Sequence, residues 1–477
     1  MQKKPLNIDH FVKIKYPKPT VLNSLERDNS LGVSAIAILQ KILFEELRLA
    51  QEKQKPPVIF RNSLASGISH WGRNAKILVA TEGFWGIPMS WVFFYRPIFL
   101  NQIIGLSEVQ IGFLSAVLTF STVVSPLAGG YLADKFGRKR VFMLFDSFSW
   151  LSSVAVWFWT QNIWYALAAY ILEGLASLVF SVWECMLVED TAPERRSSIY
   201  GTISAIVNVG YLSTPIAGYI IGLYGVDAGT RILFVLAFVS LVPMFVIRQL
   251  LLKETALGQQ IMNEKSFAGL KGYRESLSVI RRNRIILILL VTSVLGSFYY
   301  ASTTYLPLYL THENGLGLSD ELASLIPMAT ATSALIIASL VVPKLASRTS
   351  YIKVLALGYG LGCLALLFLS LSPKGSLLSA MLSGVVLGIY TTTSFSVART
   401  FLTNEIETTD TRARAKILSI TITLSSLLGL PAPVLMGYLF SLNPRIPFIV
   451  VSAALAVSLI LLLAATKNQT SSKPTSA

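Results

Sequence analysis

The sequence predicts an all-α integral membrane protein in which 12 transmembrane helices form two pseudo-symmetric six-helix bundles. Three observations support this prediction: the composition, the length of the apolar runs and an internal repeat. Hydrophobic residues make up 53% of the chain and charged residues only 14%. An apolar run of about 20 residues can cross the bilayer as a helix. The runs here are continuous rather than alternating, which favours helices over a β-barrel.

The apolar runs divide into two groups of six, separated by the longest internal polar connection. We therefore expect a cytoplasmic N-terminal tail (1–76), a first bundle (77–252), a cytoplasmic linker (253–284), a second bundle (285–466) and a cytoplasmic C-terminal tail (467–477). The approximate limits of the runs are 77–99, 109–132, 141–160, 163–188, 199–223, 232–252, 285–310, 322–345, 352–371, 377–397, 417–440 and 446–465.

The N-terminal tail is polar and basic. It has no short apolar core with a small-residue cleavage site, so we do not interpret it as a secretory signal. Within it, Ser34–Lys53 carries apolar residues at helical spacing. That segment is interpreted either as an amphipathic helix on the membrane or the inner face of the protein, or as a tail without a specific role. In the linker, Tyr273–Arg284 is a candidate surface helix.

The distribution of basic residues predicts the orientation. With both termini in the cytoplasm, 36 of the 40 Lys and Arg residues fall on the inner side; the four outer ones are Arg96, Arg231, Lys374 and Arg445. Cytoplasmic loops carry such an excess. The net charge of +15 is therefore attributed to topology and to contact with anionic lipid rather than nucleic acid. We expect a monomer in the plasma membrane.

The sequence offers no candidates for metal or enzyme chemistry. Cys185 and Cys363 lie inside apolar runs, while His10, His70 and His312 are far apart. No thiolate cluster, nucleophile–base pair or phosphate-binding loop is present in the sequence. We expect no metal, no cofactor and no enzymatic activity.

The two halves resemble each other in sequence. Three segments of the first half recur in the second at offsets of 210 to 216 residues. Duplication of a six-helix unit explains this agreement. The pairs are Arg96-Pro-Ile-Phe-Leu…Gly105-Leu-Ser107 with Leu306-Pro-Leu-Tyr-Leu…Gly317-Leu-Ser319, Leu132-Ala-Asp-Lys with Leu345-Ala-Ser-Arg, and the acidic segments that begin at Glu189 and Glu405.

This organisation resembles the major facilitator superfamily of secondary transporters. The most specific motif is Gly130-x-Leu-x-Asp134-x-x-Gly137-Arg138-Lys139-Arg140, between the second and third runs. The resemblance covers about residues 77–466. It implies transport of a small molecule by alternating access, in which two halves rock about a central site, with a proton gradient as the energy source.

The motif predicts a structured loop at the cytoplasmic face. Gly130 is expected to let the second helix approach a neighbour, and Gly137 to adopt a turn conformation that a Cβ atom disfavours. Asp134 is expected to pair with the basic residues Arg138, Lys139 and Arg140 or to cap the next helix. The resemblance implies that Asp134 and Arg138 stabilise the outward-facing state. The alternative is a tight turn whose charges only set topology.

Ionisable residues inside apolar runs are candidates for proton coupling. Glu173 and Glu184 lie on one face of the fourth run, and Glu82 and Asp146 lie in the first and third runs. Burial favours the protonated form of a carboxyl group, so Glu173 could bind and release a proton. The superfamily often has an Arg three residues before a Gln-Gly pair here. This chain has Tyr170 and Glu173-Gly174 instead. A structural or snorkelling role is the alternative for these acids.

The resemblance also implies which faces contact substrate, because the first, fourth, seventh and tenth helices line the central cavity in the superfamily. Their polar and aromatic residues favour a neutral, cationic or amphipathic ligand. No arginine is predicted in the membrane interior, which argues against a phosphate or a di-acid. Helix packing through small residues is the competing interpretation. The candidates are Trp85, Met89, Tyr170, Tyr300, Thr304, Tyr390 and Ser394.

The fifth run predicts a bend at Gly210, Pro215 and Gly218. It resembles the antiporter signature of the superfamily, with Gly-Pro changed to Thr214-Pro215 and the final Gly-Gly changed to Gly218-Tyr219. We therefore favour efflux by proton antiport. The alternatives are uptake of a sugar or small metabolite by symport or facilitated diffusion, and a membrane receptor or scaffold that does not transport.

Overall fold

The computed structural model describes residues 70–192, 196–264, 280–341, 348–409 and 414–470. By its internal contacts the chain divides into two units, 1–66 and 67–477, and the account below concerns the second. The predicted amphipathic helix Ser34–Lys53 and most of the candidate helix Tyr273–Arg284 lie outside the described residues. Within the described ranges, all regular secondary structure is helical.

Six long helices cover the six apolar runs of the first half. Helix α6 is interrupted at Gly225 (φ 74°, ψ 172°), so the fifth run comprises α5 and the start of α6. The short helix α7 follows in the predicted linker. The bounds are α1 Arg73–Gln102, α2 Glu108–Phe136, α3 Arg138–Phe158, α4 Ile163–Val188, α5 Arg196–Leu212, α6 Thr214–Leu251 and α7 Ala256–Glu264.

The second half repeats this pattern with shorter helical pieces, several of which pair up to cover one predicted run. The bounds are α8 Arg284–Thr303, α9 Leu306–Thr311, α10 Asp320–Ala323, α11 Leu325–Leu340, α12 Arg348–Leu371, α13 Leu377–Thr392, a π-helical segment Thr393–Val397, α14 Ala398–Thr409, α15 Arg414–Gly429, α16 Ala432–Leu442 and α17 Ile446–Thr470.

Ten of the described helical stretches are long and apolar enough to cross a membrane. One of them, Ser198–Leu251, has 54 residues. At about 1.5 Å per residue it is far longer than the roughly 30 Å hydrocarbon core, and it contains two predicted runs. The tenth run coincides with the shorter apolar helix Leu377–Thr392. The predicted all-helical membrane architecture is confirmed.

The repeated Gly-Leu-Ser segments have the same local structure in both halves. Gly105 and Gly317 have φ angles of +73° and +65°, a region that glycine adopts without the penalty of a Cβ atom. Two residues later, the Ser107 hydroxyl accepts a hydrogen bond from the Gln110 N–H and caps α2. Ser319 caps α10 in the same way. The sequence repeat is therefore also a structural repeat.

Helix packing separates the chain into two bundles that meet along two seams. In the first bundle α4 packs on α2 and α3, while α1 packs on α5 and α6; in the second, α11 packs on α13 and α12 on α17. Between the bundles, α2 meets α16, and α5 and α6 meet α11 and α10. Glycine permits the close approach at the first seam: a Cβ atom on Gly112 would lie 2.6 Å from the carbonyl oxygen of Pro433.

Candidate functional site

Glu173 and Arg96 form an ion pair inside the first bundle. Arg96 Nη1 donates to Glu173 Oε2 at 2.6 Å, and the two residues are only 7% and 5% exposed. The sequence predicts no arginine in the membrane interior and counts Arg96 among the outer charges, at the outer end of the first run. Helix α1 continues through Pro97 to Gln102, beyond the predicted limit of that run, and Arg96 is buried inside the bundle instead. The helical spacing of Arg96 with Trp85 and Phe93 is the sequence feature that indicates that Arg96 faces the same side of α1 as these aromatic residues.

Aromatic rings surround the Arg96 guanidinium. Its Cζ atom lies 4.6 Å from the ring centroid of Tyr170, 5.1 Å from that of Trp157 and 5.3 Å from that of Phe93. Such geometry stabilises a desolvated cation through the negative faces of the rings. Two buried donors beside this site, Arg96 Nε and Trp157 Nε1, have no hydrogen-bond partner.

A group of tyrosines, which we call the tyrosine cluster (Tyr299, Tyr300, Tyr359 and Tyr390), lies in the second bundle. Tyr299 packs edge-to-face on Tyr390 at 4.7 Å between centroids, and Tyr359 packs on Tyr390 at 5.5 Å. Tyr299 also packs edge-to-face on Tyr300 at 5.7 Å. The cluster therefore joins rings from three helices of this bundle.

A second charged group, the acid–arginine cluster (Glu82, Asp146 and Arg248), lies nearer the other end of the first bundle. Arg248 Nη2 donates to Glu82 Oε2 at 2.8 Å, and Arg248 Nη1 lies 3.7 Å from Asp146 Oδ2. The three residues are between 3% and 7% exposed. Sequence reasoning identified both acids but counted Arg248 only as a topological charge. Arg248 lies inside the apolar run 232–252, and this position is the sequence feature that indicates a buried arginine.

Glu184 is separate from both buried groups. It lies 3.6 Å from Arg399 Nη2, and the two side chains are 27% and 54% exposed. An exposed pair of this kind contributes little to stability because water screens it. Since Arg399 belongs to α14 and Glu184 to α4, the pair instead bridges the two bundles on the predicted cytoplasmic side.

The loop between α2 and α3 differs from its predicted arrangement in two respects. A Cβ atom on Gly130 would meet nothing within 4 Å, whereas one on Gly129 would lie 1.7 Å from the Leu178 carbonyl oxygen. Gly129, rather than Gly130, therefore permits the close approach of α2 to α4. Asp134 is exposed, forms no ion pair with the basic residues of the loop and does not cap α3, whose N-cap is Gly137. Gly137 itself has φ +92°, which confirms the predicted turn.

The basic residues of this loop contact other elements instead. Arg138 is buried and pairs with Glu189 at the end of α4. The Lys139 N–H donates to Glu254 Oε2 at 2.9 Å. Since Glu254 lies two residues before the start of α7, this bond joins the start of the linker to the loop. Lys135 lies over the rings of Tyr131 and Phe136, and Arg140 is exposed.

The other substrate candidates occupy varied positions. Met89, Tyr170 and Tyr390 are at most 1% exposed, while Tyr300 is 48% exposed. Trp85 is partly buried and packs edge-to-face on Trp150. Thr304 follows the end of α8, and Ser394 lies in the π-helical segment. Contact between these residues and a substrate stays a prediction.

The fifth predicted run is interrupted at Ser213, between α5 and α6. Gly210 packs against α1, because a Cβ atom there would lie 2.3 Å from the Gly86 carbonyl oxygen. Gly218 packs across the seam against Ser324. Pro215 lies near the start of α6, where a missing N–H costs little.

Hydrogen bonds between the bundles, which we call the outer contacts, concentrate at the predicted outer side. Tyr95 donates to the Asp320 carbonyl oxygen at 2.9 Å and Tyr305 to that of Glu108 at 3.0 Å. Thr214 Oγ1 donates to the Ser324 carbonyl oxygen at 2.8 Å. These bonds use backbone acceptors and join the ends of helices.

Comparison with known proteins identifies the family. The sequence profile of the Major Facilitator Superfamily matches residues 83–409. The chain belongs to the Major Facilitator Superfamily. The structure is similar to that of the nucleoside transporter NupG (D323A mutant), with a TM-score of 0.64, 13% identity, and coverage of 82% of this chain and 98% of the other. At that identity the likeness shows the shared fold alone.

Relatives of this major facilitator include transporters of different kinds. Multidrug resistance protein 2 of Bacillus subtilis is 23% identical over 75% of this chain and 86% of its own length. A Na(+), Li(+), K(+)/H(+) antiporter of Planococcus maritimus is 22% identical over 48% of this chain and 55% of its own length. An uncharacterized transporter of Bacillus subtilis, YqjV, is 28% identical over 27% of this chain, which spans 31% of that relative. Family and relatives together indicate a multi-pass membrane transport protein.

Proposed function

We propose that this major facilitator is a proton-coupled secondary transporter that exports a small molecule in exchange for protons. The observation that carries the proposal is the charge imbalance of the acid–arginine cluster. In the part of the chain that the structure describes, Glu173 has Arg96 as a partner, whereas Glu82 and Asp146 share one cation, Arg248. With both acids ionised, the cluster would hold an uncompensated negative charge away from water, which is costly.

A bound proton removes that cost. Among the described residues, the charged side chains that face the cluster are Glu82 from α1, Asp146 from α3 and Arg248 from α6, while Thr81 and Trp150 supply neutral contacts. Protonation of one acid leaves a neutral cluster. Loss of that proton creates a charge that favours a state with better access to water. The cluster can therefore couple proton binding to conformation.

Alternating access is supported by the distribution of contacts between the bundles. Among the described residues, the outer contacts are short hydrogen bonds to backbone, whereas the ion pair of Glu184 with Arg399 on the other side is exposed. With both termini in the cytoplasm of a plasma-membrane protein, these contacts support a state that is closed to the outside. The transporter is proposed to act as a monomer without a cofactor.

The direction of transport is proposed from two supports. The antiporter and multidrug-resistance relatives favour exchange and export over uptake. The break at Ser213, beside Thr214-Pro215, has the position of the antiporter-like signature. Symport would remain the interpretation if the gradient drove accumulation rather than export.

The protonation site can be tested without knowing the substrate. Infrared spectra of purified protein near neutral pH should contain a protonated-carboxyl band that disappears in Glu82→Gln or Asp146→Asn. The matched control is Glu313→Gln, which changes an exposed acid. A spectrum without that band, or a band unchanged in both cluster variants, would remove the basis for coupling at this cluster.

Transport itself is tested in proteoliposomes that carry the pH-sensitive dye pyranine inside. Ethidium and benzoate, tested separately, are the first probes. Each is either preloaded into the vesicles or added outside, and a proton gradient is then imposed. Exchange predicts that an acidic exterior accelerates loss of preloaded probe, and that Glu82→Gln and Asp146→Asn abolish this acceleration. Accumulation of probe under the same gradient, in excess of that in protein-free liposomes, would instead establish symport.

A further inference from the structure

The Arg96 guanidinium is incompletely satisfied. Glu173 binds it through Nη1, yet Nε has no hydrogen-bond partner although the residue is 7% exposed. The indole N–H of Trp157, at 0% exposure, has no partner either. Because a buried donor without a partner is unfavourable, two such donors beside each other point to an acceptor that binds there.

The surroundings of Arg96 restrict the kind of acceptor. The rings of Tyr170, Trp157 and Phe93 all lie within 5.3 Å of Cζ and form an apolar, flat-sided environment. A guanidinium binds a carboxylate through two parallel hydrogen bonds, which matches its planar donor geometry. A carboxylate that replaces Glu173 as the partner of Arg96 leaves the buried Glu173 without a cation, so Glu173 has to take up a proton when such a ligand binds.

The same rings supply a place for an aromatic part of such a ligand. The ring centroids of Tyr170 and Phe93 lie 4.6 Å and 5.3 Å from Arg96 Cζ, so a ring attached to a carboxylate on Arg96 lies beside them. Aromatic rings bind other rings in offset or edge-to-face arrangements. A carboxylate that carries a ring therefore matches both the guanidinium and its aromatic surroundings.

We infer that the substrates of this transporter are aromatic carboxylates, bound with the carboxylate on Arg96 and the ring against Phe93, Trp157 and Tyr170. This inference rests on the proposed transport function. Glu173 is the internal competitor of the substrate: its carboxylate binds Arg96 when substrate is absent, and it takes up a proton and releases Arg96 when substrate binds. The ligand class differs from the neutral or cationic ligand that the sequence favours, because Arg96 lies inside the bundle.

The test is binding of three probes to purified full-length protein in detergent, without any gradient. Benzoate has both the charge and the ring, benzamide has the ring alone, and acetate has the charge alone. Calorimetry should give benzoate an affinity at least about tenfold above either of the others, since a charge-assisted hydrogen bond is worth about 1.5–3 kcal/mol. Equal affinity for benzamide would overturn the inference.

Variants separate the roles of the pair. Glu173→Gln should strengthen benzoate binding at least about tenfold, because it removes the competing carboxylate. Arg96→Gln alone leaves Glu173 buried and unpaired, so the decisive variant is the double substitution Arg96→Gln with Glu173→Gln, which keeps the site neutral. That variant should fold, by size-exclusion profile, and lose benzoate binding. Retained binding would refute the assignment.

The experiment also distinguishes this inference from the proposed proton coupling. Glu82→Gln and Asp146→Asn should abolish gradient-driven flux while leaving benzoate affinity unchanged. Flux of another probe without benzoate binding would overturn the substrate class alone. Benzoate binding that is intact in a protein whose flux ignores the gradient would overturn proton coupling alone.

Discussion

Tyr95 and Tyr305 occupy equivalent positions in the two halves, and each hydrogen-bonds to the opposite half. Each precedes a residue–Pro pair of the internal repeat, Arg96-Pro97 in one case and Leu306-Pro307 in the other. The Tyr95 hydroxyl donates to the carbonyl oxygen of Asp320, the first residue of α10, and Tyr305 donates to that of Glu108, the first residue of α2. Pseudo-symmetry thus extends to the contacts that join the bundles.

Removing one of these hydroxyl groups should open the predicted outer side. A neutral hydrogen bond contributes a net of about 1 kcal/mol, so Tyr95→Phe and Tyr305→Phe should each raise the outward-open population about fivefold. Distances between spin labels at the exposed outer residues 103 and 314 report that population. The control is Tyr438→Phe, since that tyrosine is 54% exposed. Unchanged distance distributions in both variants would show that these hydrogen bonds do not keep the outer side closed.

The adjacent glycines Gly129 and Gly130 should respond oppositely to alanine. Gly129→Ala forces a Cβ atom against the Leu178 carbonyl oxygen and should cost about 3 kcal/mol or more by separating α2 from α4. Gly130→Ala meets open space and should be neutral or stabilise α2 by up to about 1 kcal/mol. Thermal unfolding followed by the monodisperse fraction on size exclusion measures both. Similar melting temperatures would contradict the assigned α2–α4 contact.

Arg248 should matter more for folding than either acid that it binds. Arg248→Gln leaves two buried carboxyl groups without a cation, and breaking a buried pair in this way typically costs about 3–5 kcal/mol. Adding Glu82→Gln to that variant should recover part of the loss. Thermal melting in detergent is the measurement, with exposed Arg282→Gln as the control. No recovery in the double variant would indicate that Arg248 acts through packing rather than charge.

Glu254 should hold the loop between α2 and α3. Its carboxylate accepts the Lys139 N–H, a charge-assisted bond worth about 1.5–3 kcal/mol. Glu254→Ala should therefore speed tryptic cleavage within Arg138–Arg140 roughly tenfold or more. Gln259→Ala, at an exposed position of α7, is the control. Equal cleavage rates would mean that the linker does not restrain the loop.

Much of the architecture could be predicted because its causes are local. The length of an apolar run decides whether a helix can cross the bilayer, and the sequence displays that length directly. The turn at Gly137 and the capped helix starts after Gly105 and Gly317 follow from the conformational freedom of glycine and the acceptor geometry of serine. The internal repeat then assigned these features to two halves.

The candidate sites were predicted less well because their partners are distant in sequence. Glu82, Asp146 and Glu173 stand out as acids in apolar runs, but nothing local shows which cation meets each one. Arg96 lies 77 residues from Glu173, and Arg248 lies 166 residues from Glu82. Likewise the choice between Gly129 and Gly130 depends on the rotation of α2 against α4.

By itself, the sequence determined that this protein is a helical membrane protein with two related halves, because bilayer crossing depends on composition along one helix. Only the tertiary structure decided that Arg96 neutralises Glu173 while Glu82 and Asp146 share Arg248. The physical reason is that in a medium of low polarity each charge seeks a partner from a neighbouring helix. Helix rotation and packing determine which partner that is.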